Sequence, residues 1–377
     1  MITTKKDDST PKHTEITEKH RKEFSVIRFP RCPSVLNSSQ LRRIIVLLIA
    51  VSTYAANPKI GTTSAQFLKI GVGRPTGMGE AFVAVADDAS AAYWNPGGLA
   101  RLTTRQVILN HIDWIADVNH DFVTVALPLK VGTVAFSVTA LTMGGMNYTI
   151  TDNPITPARE DTWAGPSFGA TQFALGVSYS RMITDKLSFG ITAKAISEQI
   201  WDNSASGIGM DLGLFYNTGF RSLKLGAVIS NFGSELSYTG RQLDFADTTQ
   251  NTDPPASYKT TPSPLPTIFR FGIGYNLMEA ERDYLLFAAD LVHPSDINET
   301  VNFGLEYCTN HTLFLRAGYI LNTDSEYAED VGRSTGICAG LGLAFKIREQ
   351  IDLKIDVGYR TMKYLGGSPR MTLNIGF

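Results

Sequence analysis

The 377-residue chain has no hydrophobic run long enough to cross a bilayer as a helix. A spanning helix needs about 20 apolar residues, whereas the uncharged run Ile44–Val51 has only eight. A helical bundle is thereby excluded, but a membrane barrel is not, because a barrel alternates lipid-facing and lumen-facing residues and never builds such a run. Cysteine is scarce, at three, and offers neither a disulfide framework nor a Cys/His metal spacing. Basic charge is short as well. After position 56 there are 24 basic against 31 acidic residues, so no basic surface for nucleic acid is expected. His111, His120, His293 and His311 are scattered and read as rim or turn residues. No serine elbow accompanies them. Gly71-Val-Gly-Arg-Pro-Thr-Gly77 places its third glycine one position late for a dinucleotide loop, and no βαβ unit follows. No cofactor, metal or enzymatic chemistry is expected.

What is present begins with a hydrophilic, basic extension over 1–43, holding ten Lys/Arg and five Asp/Glu. Arg42-Arg43, the apolar run and Thr53-Tyr-Ala-Ala56 then form the three parts of a signal peptide over 42–56, with cleavage after Ala55. The hydrophilic stretch is long for such a segment. It is either an extended leader or the product of a start site assigned too far upstream.

From about residue 105 to the end, polarity alternates with a period of two. Ile351, Leu353, Ile355, Val357 and Tyr359 fall on one side, and Asp352, Lys354, Asp356, Gly358 and Arg360 on the other. The pattern predicts 14 strands, near 105–114, 121–129, 131–143, 171–180, 186–198, 206–217, 222–231, 267–276, 284–293, 299–308, 311–321, 335–347, 350–360 and 369–377. Even-numbered strands lead into short turns. Odd-numbered strands lead into the three longest connections, at about 144–170, 232–266 and 322–334. An even strand count with loops sorted by length is the arrangement of outer-membrane barrels, with both termini on the periplasmic side. On this register Cys308 and Cys338 lie near opposite ends of the barrel.

Tyr179, Tyr216, Tyr275, Tyr307, Tyr319, Phe345 and Tyr359 sit near strand ends, as an interfacial girdle requires. The inward face is rich in glycine at 190, 272, 274, 304, 318, 340, 342, 358 and 376. Glycine weakens a strand and is useful where another backbone approaches closely, so the lumen is expected to hold a plug. Inward charges of both signs, among them Lys194, Asp211, Arg270, Asp290, Glu306, Arg316 and Asp356, are expected either to bind it through buried pairs or to line a polar path.

Residues 57–104 do not alternate and are the natural plug, ahead of a barrel over 105–377. They contain Gly77-Met-Gly-Glu-Ala-Phe-Val-Ala-Val-Ala-Asp-Asp-Ala-Ser-Ala-Ala-Tyr-Trp-Asn-Pro-Gly-Gly-Leu-Ala100. This run resembles the N-terminal signature of the PorV/PorQ family. It is similar, more distantly, to the hatch of FadL-type transporters, with Gly97 where their Asn-Pro element usually has alanine. The residues that carry the resemblance are Gly77, Met78, Gly79, Asp87, Asp88, Asn95, Pro96 and Gly97. Physically, Asp87-Asp88 are placed to start a short helix, and Asn95-Pro96-Gly97-Gly98 reads as a turn whose glycines permit positive φ.

The resemblance implies an all-β, 14-stranded antiparallel transmembrane barrel of the outer membrane with the N-terminal segment inside it. For PorV-like members it implies a role in type IX secretion, receiving exported proteins through their C-terminal sorting domain. For FadL-like members it implies passive uptake of hydrophobic compounds such as fatty acids. The second activity would use an extracellular apolar surface, for which Tyr148, Trp163, Phe168, Tyr238 and Phe245 in the two longest loops are the candidates. The last strand ends on Phe377, which resembles the signal read by the barrel-assembly machinery. Expected partners are therefore outer-membrane lipids, that machinery, and either exported proteins or hydrophobic small molecules.

Overall fold

A computed structural model describes residues 63–146, 149–150, 162–163, 167–245, 256–322, 336–347, 351–362 and 366–377. The extension, the signal segment and residues 57–62 of the expected plug lie outside these.

Fourteen strands follow one another: β1 (Gln106–Asp113), β2 (Val118–Leu129), β3 (Gly132–Met146), β4 (Phe168–Met182), β5 (Leu187–Ile200), β6 (Asn203–Asn217), β7 (Lys224–Gly233), β8 (Ile268–Glu279), β9 (Tyr284–Pro294), β10 (Thr300–Thr309), β11 (Leu313–Asn322), β12 (Ile337–Ile347), β13 (Ile351–Met362) and β14 (Gly366–Gly376). Each pairs antiparallel with its sequence neighbours, and β14 pairs with β1 from Gln106↔Gly376 to Ile112↔Arg370. The sheet therefore closes and leaves no edge. Closure satisfies backbone hydrogen bonds within the sheet, which is the condition for strands to cross hydrocarbon. No helix among the described residues is long and apolar enough to cross a membrane.

Every expected strand is present, and the ends differ by three residues at most. The larger offsets gather mainly on one rim, where β2 begins at 118, β3 ends at 146, β4 begins at 168 and β6 begins at 203. Pairing continues there past the last alternating residue, because the hydrogen-bond ladder needs no apolar face once a strand stands clear of lipid. This is the loop rim. It carries the long connections after β3, β7 and β11, which include the two-residue ribbons Thr149–Ile150 with Thr162–Trp163 and Asp244–Phe245 with Ala256–Ser257. The opposite rim, the terminal rim, holds the short turns and the start of β1. Phe377 exchanges backbone hydrogen bonds with Arg105 there, extending the closing seam, while its side chain is exposed.

The outward positions are exposed and apolar around the ring, as in Phe136, Val138, Phe173, Leu175, Phe271, Leu305, Leu341 and Val357. A continuous band of this kind would be unfavourable against water and matches a lipid-facing surface. Tyr179, Tyr216, Tyr275, Tyr307 and Phe345 lie toward the terminal rim, in the arrangement of an interfacial girdle, and only Tyr319 and Tyr359 of the seven lie toward the loop rim. Cys308 and Cys338 are buried, unpaired and at opposite rims.

Candidate functional site: the plugged lumen and its apolar cap

Residues 63–104 fill the lumen. They form 3-10 turns at Gln66–Lys69, Arg74–Met78 and Pro96–Arg101 and a one-turn helix, α1 (Ala91–Trp94). Val72, Met78, Phe82, Val85, Trp94 and Leu99 are buried with Ile108, Phe122 and Leu286 of the wall in one core. The segment runs from rim to rim, so residue 63 stands at the loop rim and not at the terminal, periplasmic side where the sequence reading placed both termini. The backbone N–H of Ser64 donates to the carbonyl of Pro264 at the loop rim, and residues 101–105 leave at the terminal rim.

The glycine-rich inner wall exists for this segment. A Cβ on Gly77 would stand 2.9 Å from the Cα of Gly340, and one on Gly79 would stand 2.7 Å from the carbonyl oxygen of Phe303. Side chains at Gly190, Gly304 and Gly318 would run into the backbones of Pro96, Met78 and Gly79. Gly97 corrects the sequence reading. Neither it nor Gly98 has positive φ, and their service is close approach, Gly97 to the carbonyl of Gly213 and Gly98 to that of Ala86. Asn95 fixes the turn. Its Oδ1 accepts from the N–H of Gly97 at 3.0 Å, while its Nδ2 donates to the carbonyls of Val83 and Leu214 at 2.8 and 2.9 Å. Pro96 opens the 3-10 turn that follows.

Asp87 and Asp88 do more than precede α1. Arg74 donates from Nη2 to Asp87 and from Nε to Asp88 at 2.8 Å, and its Nη1 lies 3.2 Å from Glu306 of β10. Glu306 also accepts from Arg316 Nε at 2.5 Å, and Arg316 Nη1 reaches Asp356 of β13 at 2.5 Å. A second group joins Glu80 to Arg360 at 2.9 Å and to Arg370 at 3.4 Å. Asp290 accepts from the N–H groups of Phe82 and Val83. The plug is thus bound by buried charge on the β9 to β14 side and by glycine contact around the ring, from Gly190 of β5 to Gly340 of β12. His120, expected at a rim or turn, is instead fully buried on the inner face of β2, because the two-residue period turns it toward the plug. His111 lies outward between Asp121 and Asp113.

Beneath the loop rim lies a second apolar cluster, in which Phe67 and Leu68 of the plug pack with Ala174, Ile196, Ala205, Leu236 and Leu265. Leu141 and Tyr238 border it. The Tyr238 hydroxyl donates to Glu198 at 2.9 Å; burial and the adjacent carboxylate push this phenol well above its ordinary pKa, so it stays a neutral donor. The segment 63–69 is tethered chiefly through Asp296, between β9 and β10, which accepts from Lys69 and Thr63 at 2.7 Å and from Gln66 at 2.9 Å. Burial alone would raise the Asp296 pKa, but those three donors reverse it and hold the carboxyl below its usual range.

Of the five loop candidates, Tyr238 joins this cluster and Phe168 stacks on Trp201 with ring centroids 5.5 Å apart. Tyr148 and the side chains of Trp163 and Phe245 lie outside the described residues. Phe67, Leu68 and Leu265 were not expected here, since nothing in a non-alternating segment shows that its first turn rises to meet a distant loop. At the terminal rim a half-open cavity of about 540 Å³ lies below the plug, lined by Asp87, Tyr284, Phe314, Lys354 and Asn374 among others. Among the described residues, no group of three or more His, Cys, Asp or Glu is placed to hold a metal.

No protein-family model and no curated protein sequence matches the chain. Among solved structures, the toluene transporter TodX of Pseudomonas putida is similar at 13% identity, over 80% of this chain and 96% of that one, with a TM-score of 0.50. The two share a fold. The monoaromatic hydrocarbon channel CymD (14% identity, 81% and 97% covered, TM-score 0.47) and a Pseudomonas aeruginosa FadL homologue (12%, 81% and 98%, 0.47) were also found.

Proposed function

We propose that the chain is an integral outer-membrane channel that admits small hydrophobic compounds at the loop rim, the cell exterior, and releases them at the periplasmic terminal rim. The carrying observation is the apolar cluster at the loop rim, which the protein's own Phe67 and Leu68 fill. An apolar guest displacing those side chains keeps Ile196, Leu236 and Leu265 out of water, whereas a polar solute would not. The side-chain tether of this segment converges on the single carboxylate of Asp296. The fold shared with a toluene transporter supports the same reading. A docking role in type IX secretion has the signature run behind it, but Gly77, Met78, Gly79, Asn95, Pro96 and Gly97 are buried in the lumen and present no surface to a partner.

The test is accumulation of radiolabelled toluene and oleate in an outer-membrane host expressing the chain, with a sorting-domain reporter followed in parallel. Uptake faster than in the vector control, with unchanged reporter export, is expected. Phe67→Asp, which places a charge in the apolar cluster, should reduce the gain. Unchanged uptake with the barrel correctly folded, judged by heat-modifiable migration, would refute the reading.

A further inference from the structure

The turns of the terminal rim differ around the ring. Those joining β2 to β3, β4 to β5 and β6 to β7 carry Lys130, Lys186 and Arg221, with Arg181 beside them at the end of β4, against the single carboxylate Asp185, while Lys224 starts β7 on the lumen side. The same three turns hold out Val131, Ile183 and Phe220, which are 64%, 60% and 65% exposed. The Arg221 guanidinium lies 5.7 Å from the Phe220 ring centroid. Among the described residues, Lys130, Arg181 and Lys186 enter no ion pair. Beyond this arc the turns differ: at the β12 to β13 turn Lys346 is paired with Asp352 at 3.6 Å, and two others lack the combination of cation excess and apolar tip. The β8 to β9 turn has Glu279, Glu281 and Asp283 against Arg282, and the β10 to β11 turn, Asn310-His311-Thr312, is polar.

Three successive turns that each pair a cation with a bulky apolar tip, just beyond Tyr179 and Tyr216, match a lipid surface in chemistry and in depth. The tips enter the acyl boundary and the cations meet phosphate. An acidic protein would satisfy the charges but would leave three separate apolar tips without a common pocket. We propose that the β2 to β7 arc of the terminal rim is a binding surface for anionic phospholipid headgroups of the adjoining leaflet.

The test reconstitutes the full-length protein in bilayers of equal dioleoylphosphatidylglycerol and dioleoylphosphatidylcholine and quantifies the lipid that co-purifies at low and at high salt. Enrichment of phosphatidylglycerol is expected, weakening at high salt because exposed charges are screened. At roughly fivefold per surface cation, the triple variant Lys130→Gln, Arg181→Gln, Lys186→Gln should lose the enrichment. The pair Arg282→Gln, Lys346→Gln, elsewhere on the same rim, should keep it. Equal retention of both lipids by the wild type would overturn the proposal, and that measurement needs no variant to fold. So would undiminished enrichment in the triple variant, or wild-type capture of an acidic soluble protein in place of lipid.

Discussion

At the scale of single residues, the lumen is governed by what is missing from the side chain. A Cβ on Gly318 would collide with the backbone nitrogen of Gly79, whereas one on Gly144 would meet nothing within 4 Å. Gly318→Val should therefore destabilise the barrel by about 3 kcal/mol, at the upper end of overpacking costs, and Gly144→Ala should be neutral. Thermal unfolding of the two variants in the same detergent checks both. The alternation in the sequence revealed these inward glycines, and their number pointed to a plug, but not which backbone each would face. Charge behaves differently. Glu306 is completely buried between Arg74 and Arg316, so Glu306→Gln removes the carboxylate they share, while Arg74 keeps Asp87 and Asp88 and Arg316 keeps Asp356. A loss of about 1.5–3 kcal/mol, the worth of a hydrogen bond to a charged group, is expected, to be read by equilibrium urea unfolding in vesicles.

At the scale of elements, the strands were legible because each obeys a local rule. A strand between lipid and plug must alternate, so β13 announces itself in ten residues. The plug obeys no such rule. Its turns are short and set by distant partners, and Asp296 in the β9 to β10 connection gave no sign that it would hold Lys69, 227 positions away. That tether titrates. The folded pKa of Asp296 lies below its unfolded value of about 3.9, so the attachment is complete above about pH 5 and fails as the pH falls through the folded value. Hydrogen-exchange protection at residues 63–69, taken relative to the intrinsic rate at each pH, should accordingly fall on acidification below pH 4. Asp296→Asn should show the same loss of protection at neutral pH. Exchange that is identical in the wild type and the variant at both pH values would argue against a tethering role.

At the scale of the whole molecule, closed topology, loop sorting and the aromatic girdle follow from requirements that bear on the entire chain. Their traces in the sequence are correspondingly distributed. The placement of residues 63–104 carries a consequence for biogenesis. This segment enters at one mouth and leaves at the other, and it touches both sides of the closing seam: Gly73 donates to Asn110 of β1, and Arg370 of β14 donates to Gly71. A sheet that closed first would have to be threaded through its own bore. A sheet that curls around a segment already in position need only bring β14 to β1. A compact, disulfide-locked domain fused ahead of residue 57 distinguishes the two routes: pulse-chase folding of the barrel should proceed at an unchanged rate if the sheet wraps and should stall if it is threaded. On the wrapping route the segment is the mandrel around which the sheet closes.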